Sequence, residues 1–285
     1  MLSIRFNGTD SFGPVAVCAC AAFACVAGSL ARWCALAVVT LAAYAMPAVA
    51  QVADFPPGEF NAVDSNRFAG SPGPDWRNIL VGTGQGISNR PSLFGGLRES
   101  RRFGLFDNAA YRGLYIPLAP TWQAVIDTSR FPVQGVLTQY TFGAQLKKVL
   151  LGEWVAGVGF RINDYTRSAS QANTFSLERY WGDVGAAYTL FSARPDRGGS
   201  ALAHRAQVNY RYGTSGSVGL AYTTGRELAN DIPGFGLYST DVRNWSLSGR
   251  HWFARDWAFT YEALSQRQGG LERHEGLRLG LRYRF

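Results

Sequence analysis

From Trp76 onward, apolar and polar residues alternate with a period of two rather than at helical spacing. Trp154, Ala156, Val158, Phe160 and Ile162 form one row, set against Val155, Gly157, Gly159, Arg161 and Asn163. His204, Ala206, Val208, Tyr210 and Tyr212 oppose Ala203, Arg205, Gln207, Asn209 and Arg211. Tyr140, Phe142, Ala144 and Leu146 oppose Thr141, Gly143, Gln145 and Lys147, and Trp257, Phe259, Tyr261 and Ala263 oppose Ala258, Thr260, Glu262 and Leu264. Clusters of turn residues separate these runs, among them 193–199, 213–216, 230–234 and 268–270. The pattern predicts an all-β chain of about twelve antiparallel strands, each of about ten residues, joined by alternately short and long connections. The runs 76–87 and 111–117 carry the pattern most weakly, and no window reads as an amphipathic helix.

Alternation alone fits both a soluble sheet and a membrane barrel, because the barrel only inverts which face is apolar. Three features favour a transmembrane barrel of the outer-membrane type. Trp122, Trp154, Trp181, Trp257, Tyr283 and Phe285 sit at strand ends, where interfacial girdles belong. The polar rows are rich in Gly, Ser, Thr, Asn, Gln and Arg and poor in Lys and Glu, unlike a solvated face. Lys147 and Lys148 are the only lysines. The chain also ends in a strand, with Leu277, Leu279, Leu281, Tyr283 and Phe285 in one row and Arg278, Gly280, Arg282 and Arg284 in the other. A closed barrel has no free edge, so such a strand must pair with the first one. The apolar row is read as lipid-facing, and the C-terminal strand, closed by Phe285, resembles the terminal strand by which bacterial outer-membrane barrels are recognised for insertion, which implies that this row is the assembly signal.

Composition changes the picture at the N-terminus. Arg32 precedes an apolar run from Trp33 to Ala45, and Ala48 and Ala50 make an A-x-A exit before Gln51. This predicts a secretory signal peptide over 1–50, cleaved after Ala50, with an N-terminal membrane anchor as the competing reading. All four cysteines (Cys18, Cys20, Cys25, Cys34) fall in this segment, so the exported chain would hold no disulfide. Losing Arg5, Arg32 and Asp10 takes the formal charge from +8 to +7. Export argues against a nucleic-acid partner for this basic chain. Residues 51–75, rich in Pro, Gly and Asn, read as a flexible periplasmic leader, and 76–285 as the barrel.

Several stretches resemble a known family: Gly157-Val158-Gly159-Phe160-Arg161-Ile162-Asn163-Asp164-Tyr165, Leu177-Glu178-Arg179-Tyr180-Trp181-Gly182, Gly249-Arg250-His251-Trp252 and the terminal Gly276 to Phe285. With Arg102-Phe103-Gly104-Leu105, they resemble the YaiO family of outer-membrane β-barrel proteins over about residues 76–285. The resemblance implies a barrel in the outer membrane of a Gram-negative bacterium and transfers no catalytic residues. Some members are similar to barrel domains that follow tetratricopeptide segments in polysaccharide-export systems. The leader here is too short and too rich in Pro and Gly for helical repeats.

The inward row collects Arg161, Arg205, Arg211, Arg250, Arg278, Arg282 and Arg284, together with Glu153, Glu178 and Glu262. Guanidinium groups bind carboxylate and phosphate in bidentate fashion, so these residues are the lumen-facing candidates. They could line a path for anionic sugars or phosphates. Alternatively, Arg–Glu pairs could fill a narrow lumen and close it. Arg179 falls in the lipid-facing row beside Trp181, a position that suits snorkelling to the headgroups. His204 and His251 fall in the apolar row, and His274 lies between Glu272 and Glu275. No serine stands in a hydrolase signature, and the histidine spacing matches no metal site. The expectation is therefore a non-enzymatic pore or accessory channel of the cell envelope, with no cofactor and no metal. A closed interaction barrel is the first alternative and a membrane-embedded lipid hydrolase the second. The expected partners are outer-membrane lipid and lipopolysaccharide, the barrel-assembly machinery and, as a candidate, an anionic polysaccharide.

Overall fold

The computed structural model describes residues 58–284 apart from 72–75, 87–89, 103–104, 132–137, 166–167, 214, 230–236 and 270–271. The segment read as a signal peptide (1–50), the first seven residues of the segment read as a leader, and Phe285 lie outside the described residues. Fourteen strands follow one another: β1 (Gly58–Ser71), β2 (Trp76–Gly86), β3 (Ser92–Arg102), β4 (Leu105–Ala119), β5 (Trp122–Arg130), β6 (Tyr140–Val149), β7 (Trp154–Asp164), β8 (Ala169–Trp181), β9 (Val184–Pro195), β10 (Ala201–Tyr212), β11 (Gly216–Ala229), β12 (Tyr238–Trp252), β13 (Trp257–Gln268) and β14 (Glu272–Arg284). Each pairs antiparallel with its neighbours in sequence, and β1 also pairs with β14, which closes the ring.

Two expectations need correction. Among the described residues the strands number fourteen, not about twelve. The segment read as a leader over 51–75 also contributes β1, whose pairing runs from Phe60↔Arg284 to Ser71↔Arg273 on one side and from Gly58↔Gly86 to Phe68↔Trp76 on the other. Its sequence alternates poorly. The open hydrogen-bonding edges of β2 and β14 recruit it, because an unpaired edge in a membrane barrel is costly.

The wall has two chemically distinct faces. Outward, Leu277, Leu279 and Leu281 are 51%, 43% and 42% exposed, and Val158, Phe160, Phe175, Leu177, Leu220 and Leu247 are exposed as well. Inward, polar side chains such as Asn163, Thr223, Asn244 and Gln266 are buried. This inverts the arrangement of a soluble sheet and fits a wall with lipid outside.

The barrel ends also differ. One rim carries the start of β1 and the end of β14, and is called the terminal rim. Its connections, 87–91, 120–121, 150–153, 182–183, 213–215 and 253–256, are all short. The opposite rim, called the loop rim, holds the two longest connections, 131–139 and 230–237. In the connection from β6 to β7, Leu151–Glu153 forms a single 3-10 turn. Glu153 takes a left-handed φ of 65° in that turn and is exposed, so it does not join the inward row assigned to it from the sequence.

Candidate lumen site

Strand alternation turns Asp127 of β5, Lys147 of β6, Arg161 of β7 and Glu178 of β8 toward the interior, where all four are buried. Arg161 donates from Nη2 to both carboxylate oxygens of Asp127, at 3.0 Å each. Lys147 donates from Nζ to Glu178 Oε1 at 2.6 Å, and the Tyr180 hydroxyl donates to Glu178 Oε2 at 2.7 Å. The Lys147 and Glu178 side chains are both 2% exposed, so the glutamate is held by two donors away from solvent. Charges this buried persist only when paired.

Both ion pairs reach across one intervening strand, and for the first a glycine makes that possible. Asp127, Gly143 and Arg161 lie in one cross-strand row. A Cβ on Gly143 would stand 2.7 Å from Asp127 Oδ1 and 2.8 Å from Arg161 Nη2, inside both contacts. Lys147, Gly157 and Ser176 form a second row, and a Cβ on Gly157 would come within 3.4 Å of Lys147 Cγ. The two bridges therefore lie flat along the β5–β8 wall. They do not span the lumen.

The arc β10–β14 differs. Arg205, Arg250, Arg278 and Arg282 are buried on it, together with Glu227 and Glu262. Glu262 and Arg278 are direct register partners on β13 and β14, and Glu262 also acts electrostatically on Arg205. Arg205 donates from Nε and Nη2 to Gln207 Oε1, and Gln207 Nε2 donates to Asn209 Oδ1 at 2.9 Å, a polar ladder running along β10. Gln266 Nε2 donates to Glu227 Oε1 at 3.3 Å. Among the residues whose side chains are described, the β5–β8 arc balances two buried cations with two carboxylates. The β10–β14 arc sets four buried arginines against two.

Three arginines assigned to the lumen brace the terminal rim. Arg211 donates to the Gly182 carbonyl at 3.0 Å and lies over the Tyr180 ring. Arg250, itself buried, donates from Nε to the Ser215 carbonyl at 3.1 Å. Arg284 donates to the Arg255 carbonyl at 2.8 Å and lies over the Trp252 ring. Each satisfies a turn carbonyl that the ladder leaves open. The structure thus places Arg161, Glu178, Arg205, Glu262, Arg278 and Arg282 on the wall, and Arg211, Arg250 and Arg284 at the rim. Of the terminal strand's apolar row, Leu277, Leu279 and Leu281 face outward, and the Tyr283 ring packs at a tilt against Trp257, with ring centres 4.7 Å apart.

Sequence reasoning missed Asp127 and Lys147, although both carry charge in the inward row of a strand. Only the register could show that each meets its partner two strands away. Two of the histidines are engaged by tyrosines on the outer face. The outward-facing His204 shares a hydrogen bond with Tyr188, with Nδ1 2.6 Å from the hydroxyl, and His251 bonds to the Tyr212 hydroxyl and stacks on Tyr261. Among the described residues, no three His, Cys, Asp or Glu side chains gather into a metal site.

No family model and no curated protein matches the chain. Solved structures do match in fold. The CymD monoaromatic hydrocarbon channel aligns with a TM-score of 0.57 at 8% identity, covering 81% of this chain and 89% of that one. A bacterial polysaccharide outer membrane secretin aligns with a TM-score of 0.56 at 10% identity, covering 80% and 99%. At these identities the likeness concerns the fold: an outer-membrane type β-barrel.

Proposed function

We propose that this chain is a passive, non-enzymatic pore of the outer membrane with a preference for anionic solutes. The observation that carries the reading is the course of the two ion pairs. Asp127–Arg161 and Lys147–Glu178 join strands two apart and run along the wall, so neither of these pairs crosses the lumen. Pairs crossing the lumen would have favoured a closed barrel. The preference for anions rests on the β10–β14 arc, where, among the residues whose side chains are described, Arg205, Arg278 and Arg282 are buried on the wall with Glu227 and Glu262, and Arg250 is buried at the rim. Rings of one charge sign select ions in this way.

The outer-membrane location rests on the exposed apolar belt and the fold, and the signal peptide ending at Ala50 belongs to the same proposal. YaiO-family membership, recognition of Leu277, Leu279, Leu281, Tyr283 and Phe285 by the barrel-assembly machinery, and contact with lipopolysaccharide are parts of it too. An anionic polysaccharide is a candidate solute, supported by the guanidinium chemistry and compatible with the polysaccharide named for one similar barrel.

The test is conductance of the purified protein in planar bilayers, with the reversal potential measured in a salt gradient. Steady, anion-selective steps are expected. A folded barrel that does not conduct would make the lumen arginines packing elements and favour the closed interaction barrel.

A further inference from the structure

Five residues on the lipid side of β5–β8 come together at the terminal rim. Trp122 and Lys148 are register partners, as are Trp154 and Arg179, and Trp181 follows Arg179 on the same strand. Lys148 Nζ lies 4.8 Å from the centre of the Trp122 ring. The Arg179 guanidinium lies 5.1 Å from the Trp154 ring and 4.9 Å from the Trp181 ring, held between two indoles. Arg179 Nε is covered and has no hydrogen-bond partner. Among the described residues, no carboxylate is within ion-pair distance of Lys148 or Arg179. In the connection between β6 and β7, Leu151 is 94% exposed.

The loop rim holds cations of both kinds: among the described residues Arg243 and Arg267, register partners on β12 and β13, show no carboxylate partner, whereas three others are paired. Arg101 pairs with Glu99 at 3.4 Å, Arg226 with Asp241 at 3.9 Å and Arg273 with Glu275 at 2.6 Å. An arginine or lysine that faces lipid without a carboxylate needs another anion or water to compensate it. Two such cations set among three indoles complement a phosphate at headgroup depth, with acyl chains beside the rings and Leu151.

We propose that Trp122, Lys148, Trp154, Arg179 and Trp181 form a binding site for the phosphate of an anionic phospholipid. Its leaflet is that of the terminal rim, which is the periplasmic side, since short turns mark that side in barrels of this type. The site depends on the barrel lying in a membrane and not on the lumen conducting.

The test is native mass spectrometry of the full chain, purified from outer membranes in neutral detergent and offered phosphatidylglycerol and phosphatidylcholine with identical acyl chains. The wild type should retain phosphatidylglycerol in preference by on the order of tenfold, given two cations at the interface. Lys148→Gln with Arg179→Gln should bring the two lipids close to parity, and Arg179→Lys should keep most of the preference. Arg226→Gln at the loop rim should leave it unchanged. Heat-modifiable migration on gels verifies that each variant is folded, and the single variants serve if the double variant is not. Parity in the wild type, a preference that survives loss of both cations, or an equal loss in Arg226→Gln would overturn the site. So would displacement of the lipid by millimolar glycerol 3-phosphate as readily as by fresh lipid, because the acyl chains would then contribute nothing.

Discussion

Lys147 and Lys148 are neighbours in sequence and stand in opposite worlds. Lys147 points into the barrel, is 2% exposed and bonds Glu178 at 2.6 Å. Lys148 points to the lipid side, lies over Trp122 and, among the described residues, meets no carboxylate. Glu178 and Arg179 repeat the division two strands away, one inward in an ion pair and the other outward between two indoles. One step along a strand reverses the face, so identical chemistry serves a buried bridge and a membrane anchor. The cost of losing a charge should differ accordingly. The inward lysine compensates a buried carboxylate, whereas the outward one can be replaced by water and headgroups.

The largest effect is expected from Lys147→Met, which leaves Glu178 buried with only the Tyr180 hydroxyl. A loss of about 3–5 kcal/mol is expected in urea unfolding from lipid vesicles, with most of it recovered in the Lys147→Met/Glu178→Gln double variant. If the double variant is as unstable as the single one, the ion pair is not the source of the loss. Leu279→Arg puts a charge in the outward apolar row and should cost about 2–4 kcal/mol near the midplane, read as lost heat-modifiable barrel in outer-membrane fractions. Normal assembly would place Leu279 away from lipid. Gly143→Ala drives a methyl group between Asp127 and Arg161, with an expected loss of about 1–3 kcal/mol and altered conductance steps. Unaltered stability and steps would show that the bridge does not need the glycine. The smallest effect belongs to Lys148→Gln, about 0.5–1 kcal/mol, seen as a small shift in the same urea midpoint. A loss matching that of Lys147→Met would erase the distinction between the two faces.

Much of the barrel was legible in the chain because alternation is a local property. The rows through Trp154–Ile162, His204–Tyr212 and Trp257–Ala263 predict both the strands and the faces seen. The Gly-rich run at 82–86 lies in strand β2. β1 was hidden because its sequence alternates poorly, and its strand character comes from the edges of β2 and β14. The candidate site was legible only as a set of inward charges. Glu153 was misplaced because a turn, not a strand, holds it.

The sequence by itself determined the period of two, the apolar belt, the girdle aromatics and which charges share a face, since these depend only on neighbours along one strand. The tertiary structure decided the strand number, the closure of β1 on β14 and the partner of each buried charge. Those depend on register between strands far apart in the chain, which brings Lys147 to Glu178 and lets Asp127 reach Arg161 over Gly143, where no side chain stands between them.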